Sequence, residues 1–145
     1  MEYILTHLDD MNKWVKKFLD TLDQGTSAHV VTLSGDLGSG KTTLVQHIAK
    51  NLGITETLTS PTFVIQKEYE VVNHPWIRRL VHIDAYRLED KKDLEYLGWN
   101  TLIKDSHTLI CMEWPEKVEG IPLSEHTSLS LSIEDDHSRK LVISQ

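Results

Sequence analysis

The sequence predicts an α/β protein: a three-layer sandwich with a mainly parallel central sheet and antiparallel hairpin additions. Apolar, β-branched segments alternate along the chain with segments of helical periodicity. One predicted strand–loop–helix unit also contains a glycine-rich phosphate-binding pattern, which is typical of α/β folds with a parallel sheet. We expect one domain, 1–145, because the length suits a single core and we find no linker, repeat or low-complexity tract.

A phosphate-binding loop, or P-loop, is the most specific signal. Gly35-Asp36-Leu37-Gly38-Ser39-Gly40-Lys41-Thr42 fits G-x-x-x-x-G-K-[ST]. Glycines let the backbone approach a phosphate, and the turned amides form an anion nest at a helix N-terminus. Lys41 is expected at the β- and γ-phosphates, and the Thr42 hydroxyl at Mg²⁺. The predicted nucleotide-binding residues of this segment are Asp36, Leu37, Gly38, Ser39, Gly40, Lys41, Thr42 and Thr43.

The flanking segments agree with a P-loop. Residues 29–34 are typical of a buried strand, and residues 43–52 of a helix with Gly53 placed to end it. Before the P-loop, the sequence predicts a short strand at 3–5 and an amphipathic helix capped by Asp9 or Asp10. After it, the sequence predicts a hairpin of 63–72 with 79–84 and a helical segment that is capped by Asp90 and interrupted near Gly98. A buried strand at 108–112 and a C-terminal hairpin of 129–133 with 141–143 complete the predicted elements.

Two carboxylates follow apolar strands. A P-loop site needs a carboxylate at the end of a second buried strand to hold Mg²⁺ directly or through water. Asp84 follows 80–83, and Glu113 follows the more uniformly apolar 109–112. We therefore expect Glu113 on the more central strand, with Asp84 as the second candidate.

Composition limits the possible functions. The net charge is −7, which disfavours stand-alone binding to nucleic acid. Cys111 is the one cysteine, so an intramolecular disulfide or a cysteine zinc cluster is excluded, and its apolar surroundings favour simple packing. The first residues lack the pattern of a signal peptide and no segment reaches the length of a membrane span, so we expect a cytoplasmic protein without membrane contact.

Several residues remain open to two interpretations. Thr62 follows Thr42 at a distance typical of a γ-phosphate-sensing threonine, but Ser60-Pro61-Thr62 also suits a proline turn. Arg87 could stabilise transferred charge or form a structural ion pair, and Trp114 could contact nucleotide or pack. His82-x-Asp84 suggests a transition-metal site weakly, because a third ligand at a convincing spacing is missing.

Together these residues resemble the TsaE family, formerly YjeE. The resemblance spans nearly the whole chain and is strongest from Gly35 to Glu116. Beyond the generic P-loop, it depends on three sequence blocks: Ser60-Pro61-Thr62-Phe63, His82-x-Asp84-x-Tyr86-Arg87, and Glu113-Trp114-Pro115-Glu116.

The resemblance implies a small P-loop ATPase that binds ATP and Mg²⁺ and is required for threonylcarbamoyladenosine formation in tRNAs that decode ANN codons. It implies docking on the TsaB–TsaD heterodimer, on the TsaD side, with tRNA affected indirectly and slow hydrolysis that the partners accelerate. ATP hydrolysis would reset that complex between turnovers.

Carried over by motif, Lys41 binds the phosphates and Thr42 with Glu113 holds Mg²⁺. Asp84 becomes a catalytic or water-positioning carboxylate, Thr62 matches the switch-like threonine, and Trp114 lies near the nucleotide. The roles of Tyr86 and Arg87 stay open between partner and nucleotide contact.

Two other functions are compatible with a P-loop. A small-molecule kinase could use Asp84 as the base for an acceptor hydroxyl, but the chain lacks an arginine-rich lid segment. A binding module with a structural nucleotide is disfavoured by the paired carboxylates and by Ser60-Pro61-Thr62.

Overall fold

One seven-stranded mixed sheet organises the molecule. The structure is a computed structural model that describes residues 1–56, 58 and 65–144. The strands are β1 (Glu2–Leu5), β2 (His29–Ser34), β3 (Gln66–Glu70), β4 (Arg79–Asp84), β5 (Thr108–Glu113), β6 (Glu125–Ile133) and β7 (Arg139–Ser144). The helices are α1 (Leu8–Thr21), α2 (Lys41–Asn51), α3 (Lys91–Tyr96) and α4 (Trp99–Leu102), and a 3₁₀ turn covers Pro115–Val118.

The strand order confirms the predicted fold class. The order is β1-β7-β6-β2-β5-β4-β3. Strands β6, β2, β5 and β4 pair in parallel, whereas β1 with β7, β6 with β7, and β3 with β4 pair antiparallel. The P-loop strand β2 is thus flanked by β5, and the predicted central position of the strand ending in Glu113 is confirmed. Both predicted hairpins are present at the sides of the sheet.

Helices cover both faces of this sheet. Helices α1 and α2 bury their apolar stripes on one face, which includes Val31, Leu33, Leu80, Leu109 and Cys111. Helices α3 and α4 and the 3₁₀ turn cover the other face. Because side chains alternate along a strand, the polar residues at the ends of β4 and β5 fall on the face that carries α2. This alternation brings His82, Asp84 and Glu113 to the N-terminal end of α2.

The beginning of α1 differs from prediction. The N-cap residue is His7, and neither Asp9 nor Asp10 occupies that position. Asp10 lies three residues into the motif, and its carboxylate accepts the backbone N–H groups of Thr6 and His7, each at 3.0 Å. These bonds lower the pKa of Asp10. Asp10 therefore acts in the reciprocal half of a capping box, where it reaches back over the helix start.

Two other predicted boundaries shift. Strand β3 is shorter than the predicted 63–72, and residues 63 and 64 lie outside the described residues. Helix α2 begins at Lys41, two residues earlier than predicted, because Gly40 already turns the chain with φ of 107°. The predicted cap at Asp90 is confirmed by its bond from the Lys92 N–H at 2.9 Å, and Gly98 interrupts the helical segment with φ of 88°.

Candidate nucleotide and magnesium site

The P-loop connects the carboxyl end of β2 to the N-terminus of α2, as predicted. Gly38 and Gly40 adopt positive φ angles of 81° and 107°, which L residues rarely adopt. Gly35 has a different constraint: a Cβ there would collide with the Leu131 carbonyl oxygen of β6. Gly35 also has a positive φ, of 147°, so the loop needs glycine for its conformation at all three positions and for close backbone approach at Gly35.

Lys41 is buried at the floor of this loop. Its Nζ donates hydrogen bonds to the carbonyl oxygens of Gly35 at 2.6 Å and Asp36 at 3.1 Å. The same Nζ lies 4.2 Å from the ring centroid of Trp114, a cation–π contact. Burial lowers the pKa of Lys41, and the opposing negative charges are Glu113, Glu116, Asp84 and Asp36. The ammonium group thus faces a ring of acceptors that a polyphosphate could replace.

Glu113 and Thr42 meet across the sheet–helix boundary. The Thr42 hydroxyl lies 3.1 Å and 3.0 Å from the two carboxylate oxygens of Glu113. Glu113 is 3% exposed and Asp84 is 4% exposed, and the two residues are register partners at the ends of β5 and β4. Asp84 also accepts the backbone N–H of Tyr86 at 3.0 Å. Two nearly buried carboxylates therefore end side by side next to the P-loop threonine.

This set of donors fits magnesium. A hydroxyl and carboxylate oxygens are hard ligands, and Mg²⁺ in proteins commonly takes one or two carboxylates and completes its shell with water and substrate phosphates. A transition-metal site at His82 and Asp84 is not supported, since the described residues contain no cluster of three histidine, cysteine or acidic side chains suited to a metal.

His82 is the least expected member of the site. Its side chain is fully buried, and its Nε2 lies 2.6 Å from the Oε2 of Glu113. Within the described part of the chain, its other ring nitrogen, Nδ1, has no hydrogen-bond partner. Among the described residues, Glu113 is therefore the hydrogen-bond partner of the His82 ring.

The side chains of Lys41, Thr42, Asp84 and Glu113 line one open cavity of about 370 Å³. An aromatic pair borders it, because the rings of Tyr86 and Trp114 lie 5.1 Å apart. Trp114 has a left-handed backbone with φ of 59°, which turns the chain directly after Glu113. The lining residues are Leu37, Gly38, Gly40, Lys41, Thr42, Thr43, Asp84, Tyr86, Glu113 and Trp114.

Most predicted site residues meet at this cavity, and two of the described ones, Asp36 and Ser39, do not line it. The carbonyl oxygen of Asp36 accepts hydrogen bonds from the Lys41 ammonium group and from the Ser39 N–H, and Ser39 is fully buried. Thr62, with the whole Ser60-Pro61-Thr62-Phe63 block, lies outside the described residues. Cys111 is buried in the core, and burial raises the pKa of its thiol, as expected for a packing residue.

Sequence reasoning missed the contact between His82 and Glu113 and the stacking of Lys41 on Trp114. A signal for the first was available, since a histidine interrupts an otherwise apolar strand two residues before Asp84. Strands β4 and β5 are parallel neighbours, and side chains alternate between the two faces along each strand. Because Asp84 pairs with Glu113, His82, two residues earlier, lies on the same face as Glu113. The second contact depends on the left-handed backbone of Trp114, which the sequence does not indicate.

Comparison with known proteins identifies the family. The chain matches the family model described as "Threonylcarbamoyl adenosine biosynthesis protein TsaE" over residues 5–141. The chain belongs to the TsaE family. It is 36% identical over 125 residues to a tRNA threonylcarbamoyladenosine biosynthesis protein TsaE of Synechocystis, covering 84% of this chain and 74% of the relative. It is 30% identical to the protein of that name from Haemophilus influenzae, covering 100% of this chain and 92% of the relative.

A solved structure shares the architecture. The crystal structure of YdiB from Bacillus subtilis superposes with a TM-score of 0.73 at 25% identity, covering 99% of this chain and 83% of YdiB. The predicted resemblance is thus confirmed, and with it the assignment to a P-loop family of tRNA threonylcarbamoyladenosine biosynthesis. In the described residues, no helix is both long enough and apolar enough to cross a bilayer.

Proposed function

We propose that this protein binds ATP with Mg²⁺ and hydrolyses it to ADP and phosphate in tRNA threonylcarbamoyladenosine biosynthesis. One observation supports the proposal above the others: Lys41, Thr42 and Glu113 converge on a single open cavity. A P-loop nest, a buried ammonium group and a carboxylate at the adjacent strand end are the parts that phosphoryl transfer from a nucleotide requires.

The P-loop amides and Lys41 would hold the β- and γ-phosphates. Two hydrogens of the Lys41 ammonium group bond carbonyl oxygens of its own loop, and phosphate oxygens could replace these neutral acceptors with charged ones that pair with the lysine. Thr42 and Glu113 would hold Mg²⁺, which when bound neutralises the phosphate oxygens and orients them for attack by water. Both side chains already face each other at about 3 Å.

Asp84 is the group that we assign to the attacking water. It lines the cavity beside Glu113, and its carboxylate is fixed by the Tyr86 N–H. Water attacks the γ-phosphorus, the bond from that phosphorus to the bridging oxygen breaks, and ADP leaves with that oxygen. The proton of the water passes toward Asp84 or to phosphate itself, because both are oxygen acceptors in reach of the same cavity.

A neighbouring cavity of about 330 Å³ is our candidate for the nucleoside. It shares Gly38, Gly40 and Thr43 with the phosphate cavity and lies on the side of the P-loop away from Glu113. With the terminal phosphates at the carboxylates, we propose that the rest of the nucleotide extends in that direction. Met11 and Arg139 are among the residues that would meet the base or ribose.

The family assignment supports a proposal for the partners. We propose that hydrolysis serves a cytoplasmic TsaB–TsaD heterodimer, with docking on the TsaD side and with tRNA affected indirectly. The net charge of −7 supports a protein partner over direct binding to tRNA, since phosphate contacts require lysine and arginine.

The test is ATP hydrolysis by the purified chain, measured with and without Mg²⁺ and with and without TsaB–TsaD. We expect a slow basal rate, a marked rise with the partners, and loss of turnover in Lys41→Ala. Removal of such preorganised charge commonly costs about 3 kcal/mol or more in the barrier. Lys50→Ala, at the exposed far end of the same helix, is the matched control.

Three outcomes would contradict parts of this proposal. Turnover in Lys41→Ala equal to that of the parent would remove the P-loop from the chemistry. A rate indifferent to TsaB–TsaD would reject the partner assignment. A phosphorylated product from an acceptor library, in place of free phosphate, would favour a kinase.

A further inference from the structure

We infer that His82 is a positioning residue that fixes the Glu113 carboxylate for Mg²⁺. This inference rests on the proposed function, because it concerns the metal-holding role of Glu113. The observation is a short contact of 2.6 Å between His82 Nε2 and Glu113 Oε2, made by a fully buried ring. His82 itself is absent from the cavity lining, so it acts through Glu113.

The location of His82 calls for an explanation. It lies at the centre of an apolar strand, between Val81 and Ile83, both fully buried. Burying a polar ring costs free energy unless hydrogen bonds compensate, and an aliphatic side chain would fill this position without that cost. In the described residues, the imidazole makes one hydrogen bond where it could make two. We therefore attribute the presence of a histidine at this position to its hydrogen bond with Glu113.

The geometry defines the tautomer. An ionised carboxylate only accepts hydrogen bonds, so Nε2 must carry the proton toward Glu113. Nδ1 is then a bare lone pair, which suits a nitrogen that has no partner among the described residues. The opposite tautomer would leave an N–H buried without an acceptor and two acceptors in contact at 2.6 Å.

This bond selects one orientation of Glu113. His82 approaches one carboxylate oxygen, Oε2, from β4, while the Thr42 hydroxyl lies almost equally far from both oxygens. Without His82, the carboxylate could rotate about its terminal torsion, which is broad for glutamate. With His82, Oε1 remains the oxygen without a histidine contact, at 3.1 Å from the Thr42 hydroxyl. Outer-shell hydrogen bonds of this kind orient metal ligands, and their loss typically costs 10–100-fold in metal affinity.

The experiment measures Mg²⁺ affinity, not turnover. Binding of ADP is titrated by calorimetry across a series of Mg²⁺ concentrations and in excess chelator, for the parent, His82→Leu and His82→Gln. Leucine removes the donor, whereas glutamine offers an N–H at about the same distance along the side chain as Nε2. We expect His82→Leu to raise the Mg²⁺ midpoint by about 10–100-fold while ADP affinity in chelator stays unchanged, and His82→Gln to recover most of the loss.

A matched control separates this role from stability. His29 is a half-buried histidine at the opposite end of β2, bonded to Thr127 at 3.0 Å. His29→Leu should lower the unfolding temperature without moving the Mg²⁺ midpoint. If His82→Leu fails to fold, His82→Asn replaces it, because asparagine is too short to reach Glu113 and must then show the same deficit beside His82→Gln.

The outcomes distinguish this inference from the proposed function. A parental Mg²⁺ midpoint in His82→Leu, with a lower unfolding temperature alone, would assign His82 a purely structural role. Equal deficits in His82→Leu and His82→Gln would show that the hydrogen bond is not responsible. A parent protein whose ADP binding ignores Mg²⁺ would overturn the proposed function and this inference together.

Discussion

The two ends of the central strands use polar residues in different ways. At the amino end of β4, Arg79 reaches acceptors on three neighbouring segments: Asp105 at 2.8 Å, Thr108 at 3.2 Å and Glu68 at 3.4 Å. All these charged groups are about one third to one half exposed. At the carboxyl end, Lys41, Asp84 and Glu113 are almost fully buried around a cavity.

The difference distinguishes a stabilising network from the site of the proposed function. The network around Arg79 pairs opposite charges directly and remains partly hydrated. It therefore links β3, β4 and β5 at a low desolvation cost. At the carboxyl end, Lys41 has backbone carbonyls and the face of a ring as neighbours, while the Glu113 carboxylate faces Thr42 and His82. Burying several charges in one place is costly in an isolated chain, and a bound nucleotide with its cation would compensate this cost.

The largest expected effect is at Glu113. Glu113→Gln keeps the shape of the side chain but removes the negative charge, so we expect Mg²⁺-dependent ATP turnover to fall by at least about 100-fold. ADP affinity in chelator should stay close to that of the parent. The measurement is steady-state phosphate release at several Mg²⁺ concentrations.

Glu68→Gln is the corresponding change at the other end of the strands. It alters the same residue type beside Arg79 and should leave turnover unchanged. Full activity of Glu113→Gln would exclude Glu113 from the metal site and cancel the contrast between the two ends.

A smaller and purely structural effect is expected at Arg79. Arg79→Ala removes one guanidinium from three acceptors, and we expect a loss of about 1–2 kcal/mol in the free energy of unfolding. Nucleotide affinity should not change, because the network lies at the end of β4 away from the cavity. Urea unfolding gives the first quantity and calorimetry the second.

The neighbouring Arg78 provides the comparison for Arg79. Its exposed side chain donates to the carbonyl oxygen of His74 at 2.6 Å and to that of Ile77, so Arg78→Ala should cost less. If Arg79→Ala weakened nucleotide binding more than it weakened the fold, the two ends would be coupled and the division of roles would be wrong.

Local sequence signals identified the residues that line the cavity, but they did not indicate the contacts around them. The P-loop and the carboxylates after apolar strands are encoded by neighbouring residues, so Lys41, Thr42, Asp84 and Glu113 could all be named from the sequence. Contacts across elements depend on strand order, which is set by long-range packing. For that reason the approach of His82 to Glu113 was not predicted, although both residues were noted.

Boundary errors have a similar cause. Asp9 and Asp10 are good capping residues, but Asp10 reaches back from the third helical position and His7 becomes the cap. Composition alone does not distinguish these two uses of an aspartate near a helix start, because both satisfy free N–H groups. The role of Thr62 stays a prediction, since its segment lies outside the described residues.

The smallest expected effect is a pH dependence at His74, in the loop between β3 and β4. Its Nδ1 accepts the N–H groups of Ile77 at 3.0 Å and Trp76 at 3.3 Å, which requires an unprotonated nitrogen. Burial lowers the pKa of His74, and the positive charge of Arg78 lowers it further, against a weaker opposing effect of Asp20.

The sign of the effect follows from this direction. A histidine whose pKa is lower in the folded state binds its proton more readily when unfolded, so its contribution to stability is present above about pH 6.5 and is lost on acidification. His74→Asn keeps an acceptor at the position of Nδ1 and removes the titration, so it should flatten part of the fall in unfolding free energy between about pH 7 and 5, by well under about 1 kcal/mol given the partial exposure. Urea unfolding across this pH range measures the slope. His29 and His47, whose pKa values burial also lowers, should account for a remaining slope in the same direction. A slope identical to that of the parent would show that the loop accepts a protonated His74, and that its two N–H groups find other acceptors.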